Sequence, residues 1–306
     1  MGLIDSSITY SGKNAEGFYT TALLTGDTKS RIRAVPNVKD KINMASLDLG
    51  NILQADSCDV AESGNYTLDQ KTLEVCDFAF NIPLCEKDYE PLYLSEQLRP
   101  GSNVEQNYPN GFVDFLFELV AAKISEQTED LIWSGSTTAS PPDLCDGFIK
   151  KFLADSAVVD VASPTTLTSA NIIAEMTKVV NAIPTTVKNK GKNAVKIFVS
   201  INAAHLYELA LVTASPALYA YNNADLTLSF MGYELIVSPG MPNNTIVACD
   251  PMNLWYGFDL LADEKEISFL KNPNPGKTKQ SNIVGSFKWG VNYGVSSEVV
   301  LYGTGS

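Results

Sequence analysis

Apolar residues recur at three- and four-residue steps over residues 109–134 (PNGFVDFLFELVAAKISEQTEDLIWS), the longest helical signal in the chain. Phe112, Phe115, Leu116, Leu119, Val120, Ile124, Leu131 and Ile132 define a greasy face, and Asp114, Glu118, Glu126, Glu129 and Asp130 fall largely between them. Pro109 suits a first helical turn, Asn107 or Asn110 can cap the free amides, and Gly135 followed by Ser136, Thr137 and Thr138 stops the helix. At ~1.5 Å per residue this helix runs roughly 35 to 40 Å, long enough to be the spine of an elongated subunit.

The segments on either side carry different periods. Residues 1–50 hold no sustained period and contain Gly2, Gly12, Gly17, Gly26 and Pro36, which predicts an extended arm. Ordering such an arm costs ~1 to 2 kcal/mol per residue, so it needs a partner surface. Residues 51–61 and 66–82 read as two strands around a loop at 62–65. In the second, Cys76, Phe78, Phe80 and Ile82 alternate with Val75, Asp77, Ala79 and Asn81 until Pro83. A hairpin this long is marginal alone and must lie on something.

After the spine, STTASPPDLCDG is a break, followed by a short apolar piece around 148–153. Helix and strand then alternate. Ser169 can cap a helix carrying Ile172, Ile173, Met176, Val179, Val180 and Ile183; a buried strand spans 195–200, and a second helix starts at Asn202. LTLSF and YELIVS flank Met231 and Gly232 as a hairpin, and TIVAC is another buried strand. From Asn253 the chain returns to strands. The clearest comes last, with Phe287, Trp289, Val291, Tyr293 and Val295 alternating with smaller or polar residues.

Composition narrows the class. With 306 residues and 45% hydrophobic content the chain can bury a real core. A net charge of -13 and a pI near 4.5 argue against an outer surface that grips nucleic acid, although an acidic wall can enclose it. The five cysteines, Cys58, Cys76, Cys85, Cys145 and Cys249, are scattered and read as reduced, packed thiols of a cytoplasm. No signal peptide and no membrane-length apolar run is visible.

The chemistry-bearing candidates fall away one by one. Gly276, Lys277 and Thr278 resemble the end of a phosphate loop, but its first glycine should stand where Lys271 does. His205, the only histidine, lies on a helix without evident partners. The acidic groups Asp56 and Asp59, Asp263 and Glu264, and Glu126, Glu129 and Asp130 read as solvated faces. Myristoylation at Gly2 and sequons at Asn65 and Asn243 are chance matches without a secretory signal. Trp255, Tyr256, Phe258, Phe287, Trp289 and Tyr293 lack the interleaved cations of a nucleic-acid stacking sheet, since only Lys288 is close. No catalytic, cofactor or metal residue is assigned.

Two stretches carry a resemblance. MGYELIVSPGMPNNTIVACDPMNLWYGFDL, residues 231–260, and GVNYGVSSEVVLYG, residues 290–303, are similar to the corresponding strands of tailed-phage major capsid proteins of the Hong Kong 97 type, and element order agrees along nearly the whole chain. The resemblance implies an α+β fold with an N-terminal arm (1–50), an extended β-hairpin loop (51–100), and a peripheral domain (101–165 and 255–306) containing the spine helix 109–134. An inserted α/β axial domain (166–254) would lie around capsomer centres. It also implies a non-catalytic function: self-assembly into hexamers and pentamers of an icosahedral virion capsid, in the host cytoplasm, around double-stranded DNA held without sequence-specific contact. A separate scaffolding protein, a portal, and decoration or cement proteins are the implied partners; no membrane is. Some members cross-link a loop Lys to a neighbour's Asn with a Glu assisting. Lys71 lies in the matching segment, and Asn272, Asn274 and Asn282 in polar return stretches, but no Glu aligns, so a solvated Lys is the simpler reading.

Two rivals stay open. An encapsulin-type cargo compartment would show a hydrophobic groove for a short cargo tail. A soluble α/β enzyme or binding protein would show a preformed polar pocket.

Overall fold

The computed structural model describes residues 8–10, 27–49, 53, 64–85, 110–139, 143–214, 228–259, 267–271 and 280–303. In chain order the elements are β1 (Ile8–Tyr10), α1 (Asp27–Arg31), β2 (Arg33–Pro36), β3 (Lys41–Leu49), β4 (Tyr66–Glu74) and β5 (Cys76–Cys85). Next come α2 (Asn110–Ser134), α3 (Phe148–Ala154), β6 (Val159–Asp160), α4 (Ile172–Ala182), α5 (Thr185–Lys188), β7 (Lys196–Val199) and α6 (Ile201–Ala214). The chain closes with β8 (Ser229–Phe230), β9 (Tyr233–Val237), β10 (Ile246–Cys249), β11 (Leu254–Phe258), β12 (Ile267–Lys271), β13 (Gln280–Tyr293) and β14 (Val300–Tyr302).

Sheet I is organised on β13, which pairs with β5 along one edge and with β12 and then β11 along the other; β1 and β2 extend it outward. Sheet II runs β6-β14-β10-β7-β9-β8. Its central strands β7, β10 and β14 read as nearly unbroken apolar runs because both faces are covered. Ile197, Val199, Ile246, Ala248, Val300 and Tyr302 point into a core with α4 and α6. Phe198, Val247, Cys249 and Leu301 point the other way, into the core that α2 and α3 share with sheet I. One alternation thus feeds two cores. Met231 and Gly232 both have positive φ (52° and 86°), the two-residue turn that joins β8 to β9 with the twist of the strands.

The spine α2 buries Leu116, Phe117, Val120, Ile124, Ile132 and Trp133, whereas Leu119 is exposed. Trp133 ends the buried stripe between the rings of Phe148 and Phe198, at 5.5 and 5.4 Å. Gly135 then allows the chain to turn tightly: an added Cβ would meet the carbonyl oxygens of Cys145 and Leu131 at 2.5 and 2.6 Å.

Several expectations are corrected. The partner of β4 is β3, from Lys41↔Glu74 to Leu49↔Tyr66, whereas the expected first strand at 51–61 lies, except for residue 53, outside the described residues. Residues 33–36, within the expected arm, find a partner surface on their own chain, because β2 joins sheet I in parallel with β11. β6 and β14 belong to sheet II, although both fall inside the expected peripheral ranges, since β14 finds its hydrogen-bond partners on β10 and β6. Cys76 and Cys145 form a disulfide, with Cα atoms 6.0 Å apart. Cys76 opens β5 and Cys145 lies just beyond the spine, and only the packing of α2 on sheet I brings them together. Cys85 and Cys249 are free thiols, while Cys58 lies outside the described residues.

Candidate functional site

Among the described residues the two-stranded ribbon β3–β4 pairs with no third strand. Directly opposed residues share a face, so its register sorts the side chains. At the root, Ile42 and Leu73 share one face. Leu73 is fully buried in a small core with Val38, Val75 and Trp255, and it reaches there because Gly257 has no side chain; a Cβ would stand 2.7 Å from a Leu73 methyl. The Asn292 side-chain amide donates to the Thr72 carbonyl at 2.6 Å, pinning the root to β13. Toward the tip the apolar positions move to the opposite face: Leu47 opposite Leu68, and Leu49 opposite Tyr66. These four are 58–72% exposed. The ribbon is thus apolar on one face at its root and on the other at its tip. Its tip presents an apolar surface outward.

One polar anchor holds the ribbon itself, and a second holds α1, which precedes it in the chain, against the spine. Lys71 donates to Asp155 Oδ2 at 3.0 Å and to Ser296 Oγ at 2.7 Å, with its ammonium 3.9 Å from the Tyr293 ring centroid. The Ser296 hydroxyl, the Ala157 amide and the Lys71 ammonium together hold the Asp155 carboxyl well below the usual carboxylate range. The second anchor is α1. Thr28 N–H donates to Glu129 Oε1 at 3.2 Å, Thr28 Oγ1 donates to Ser238 Oγ at 3.1 Å, and Trp133 Nε1–H donates to Thr28 Oγ1 at 2.9 Å. Beside them Lys29, 2% exposed, donates to the Ser125 carbonyl and hydroxyl. Burial pushes its ammonium down to about 8, with Glu129 pulling the other way. Glu129 is therefore a buried partner of α1 and not part of a solvated acidic face.

No family model matches the chain, and no curated protein does. Solved structures do. The satellite phage P4 procapsid including size determination (Sid) protein is 14% identical, with 94% of this chain and 98% of that chain covered and a TM-score of 0.55. The capsid of an empty GTA particle is 14% identical, covering 93% and 90%, with a TM-score of 0.59. A Mycobacterium phage Che8 chain is 10% identical, covering 99% and 96%, at 0.52. The chain has a phage-capsid fold.

Within this capsid fold the residues singled out by sequence scatter. His205 is exposed on α6, Glu126 pairs with Lys123 on the outer face of the spine, and Asn282 donates to Asn81. Trp255, Tyr256, Phe258, Phe287, Trp289 and Tyr293 are core residues of sheet I. Gly2, Asp56, Asp59, Asp263, Glu264, Asn272, Asn274 and residues 276–278 lie outside the described residues. Among the described residues no cluster of three or more His, Cys, Asp or Glu could hold a metal, and no helix is long and apolar enough to cross a membrane. A groove of about 440 Å³ lies between α2 and sheet I, walled by Phe78, Phe80, Ile124, Leu131, Leu144 and Trp289. The α1 anchor and Asp155 escape a sequence reading because DTKSR and the loop after α3 carry no apolar period; their roles arise only from tertiary hydrogen bonds.

Proposed function

We propose that this chain is a shell-forming subunit, the major capsid protein of a tailed bacteriophage with the Hong Kong 97 arrangement. In this reading sheet I with the spine is the peripheral domain, sheet II with α4 to α6 is the axial domain, and β3–β4 is the extended loop. The observation that carries it is the ribbon tip. Leu47, Leu49, Tyr66 and Leu68 offer an apolar face that its own subunit does not cover, on a fold matched over nearly its full length by capsid chains. The tip of one copy seats on the next, and copies close into hexamers and pentamers.

The mechanism is geometric rather than catalytic. The fold's cores fix the body, the ribbon supplies a contact that only a neighbour satisfies, and the net charge of -13 keeps the wall from gripping the packaged double-stranded DNA. A scaffolding protein, a portal and decoration proteins complete the assembly, which takes place in the host cytoplasm and ends as the virion head. The groove between α2 and sheet I supports a second reading, a cargo-storing compartment whose guests carry a short apolar tail.

Light scattering and electron microscopy of the purified chain, with and without scaffold, test the proposal. Closed shells or capsomer rings are expected, and their contents separate the readings: DNA for a phage head, folded guest protein for a compartment. A monomer or small dimer under every assembly condition would overturn both.

A further inference from the structure

Among the described residues the chain passes between the two sheets three times, and polar side chains tie the three crossings together. The first leaves α3 at Asp155 and enters β6. The second leaves β10 and enters β11 through residues 251–253, and the third leaves β13 at Tyr293 and enters β14. Asp155 Oδ2 accepts from Tyr293 Oη at 2.9 Å and from Ser296 Oγ at 2.7 Å, joining the first crossing to the third. Asn253 joins the second to the third: its Oδ1 accepts from the Gly294 and Val295 amides at 3.1 and 2.7 Å, and its Nδ2 donates to the Val295 carbonyl at 2.8 Å. Side-chain hydrogen bonds therefore join all three crossings.

Lys71 brings the ribbon into that network. It is the residue at which the ribbon's apolar face changes sides, lying one position before the pinned Thr72 and opposite Met44. Its ammonium bonds Asp155 and Ser296, one from each of two crossings, and covers the Tyr293 ring. The side chains of Lys71 and Asp155 are only 22% and 28% exposed, so the pair is more than a solvated surface contact.

We propose that Lys71 and Asp155 form a coupling pin: the pose of the ribbon and the angle between the two sheets change together, and a chain that moves one must move or release the other. This rests on the capsid reading only for its purpose, which is to let one sequence occupy non-equivalent places in a shell while the ribbon pose reports the place to the body of the subunit.

Amide hydrogen exchange on the unassembled full chain tests it. Lys71→Met keeps the aliphatic stem over Tyr293 and removes the ammonium. Exchange is expected to rise about tenfold or more over 66–74 and, in the same variant, over 155–160 and 293–298. Lys71→Arg should restore protection at both places. Asp155→Asn should reproduce the effect, with its melting curve checking that it folds. Faster exchange confined to the ribbon, or no change, would overturn the coupling. Imaging separates this from the shell reading. If wild-type chains form shells, Lys71→Met shells should be mixed in size where wild-type shells are uniform, and uniform variant shells would count against the pin. If wild-type chains form none but the two exchange changes appear together, the pin stands and the capsid function falls.

Discussion

Replacing Leu47 and Leu68 together by Ser separates assembly from folding. Fully burying a leucine contributes about 2 kcal/mol, and these side chains are 61% and 63% exposed, so covering what remains is worth about 1.2 kcal/mol each. The double variant should lose about 2.5 kcal/mol per seated tip, roughly a 60-fold rise in the protein concentration at which particles first appear in light scattering. The subunit itself should barely notice. Exposed substitutions change stability by about 0.5 kcal/mol, which for a chain of this length moves the melting temperature by about 1 °C. Thr67→Ala, on the opposite face of the same ribbon, should leave both the threshold and the melting temperature unchanged. A drop of several degrees in the double variant would mean that its own subunit covers the tip. An unchanged threshold with an unchanged melting temperature would mean that nothing covers it. Either result refutes the assignment.

Three further expectations follow from the interior. The Cys76–Cys145 bridge closes a span of 69 residues, which on the chain-entropy model stabilises the fold by about 4 kcal/mol; reduction, or Cys145→Ser, should lower the melting temperature by about 6 °C, and a reducing gel should slow migration of the unfolded chain. Lys29 holds a proton less tightly when folded than when unfolded, so between about pH 8 and 10.5 the unfolded chain binds more protons and stability rises with pH. The rise amounts to about 3 kcal/mol before the buried tyrosines, whose folded values are raised, reverse the trend; it should be absent in denaturant titrations of Lys29→Met. Finally, a Cβ at Gly240 would overlap the Glu129 carbonyl of the spine, so Gly240→Ala should cost at least about 2 kcal/mol by thermal denaturation.

The spine was legible because a single face of α2 is buried over many turns, which leaves its period in the sequence. The central strands β7 and β10 of sheet II were legible for a different reason: their continuous apolar runs reflect burial on both faces. The start of the ribbon was not. In KINMASLDL the apolar positions change parity between Met44 and Leu47, so the alternation looks broken and no strand period spans the segment. That break marks where the apolar positions pass from the face buried at the root to the face exposed at the tip. The polar α1 was illegible because Thr28 and Lys29 are buried by long-range hydrogen bonds to Glu129, Ser238, Ser125 and Trp133, which no local pattern encodes. The disulfide stayed hidden for a similar reason, its two cysteines lying on opposite sides of the spine in sequence.

The central claim is that the ribbon tip is completed by another copy of the same chain. The most direct measurement is a cryo-electron-microscopy reconstruction of assembled particles at side-chain resolution. The account predicts Leu47, Leu49, Tyr66 and Leu68 seated against a neighbouring subunit in every capsomer, with Lys71 still on the Asp155 of its own chain wherever the ribbon keeps the pose described above. Particles in which these four side chains face solvent, or fold back onto their own sheet, would contradict it.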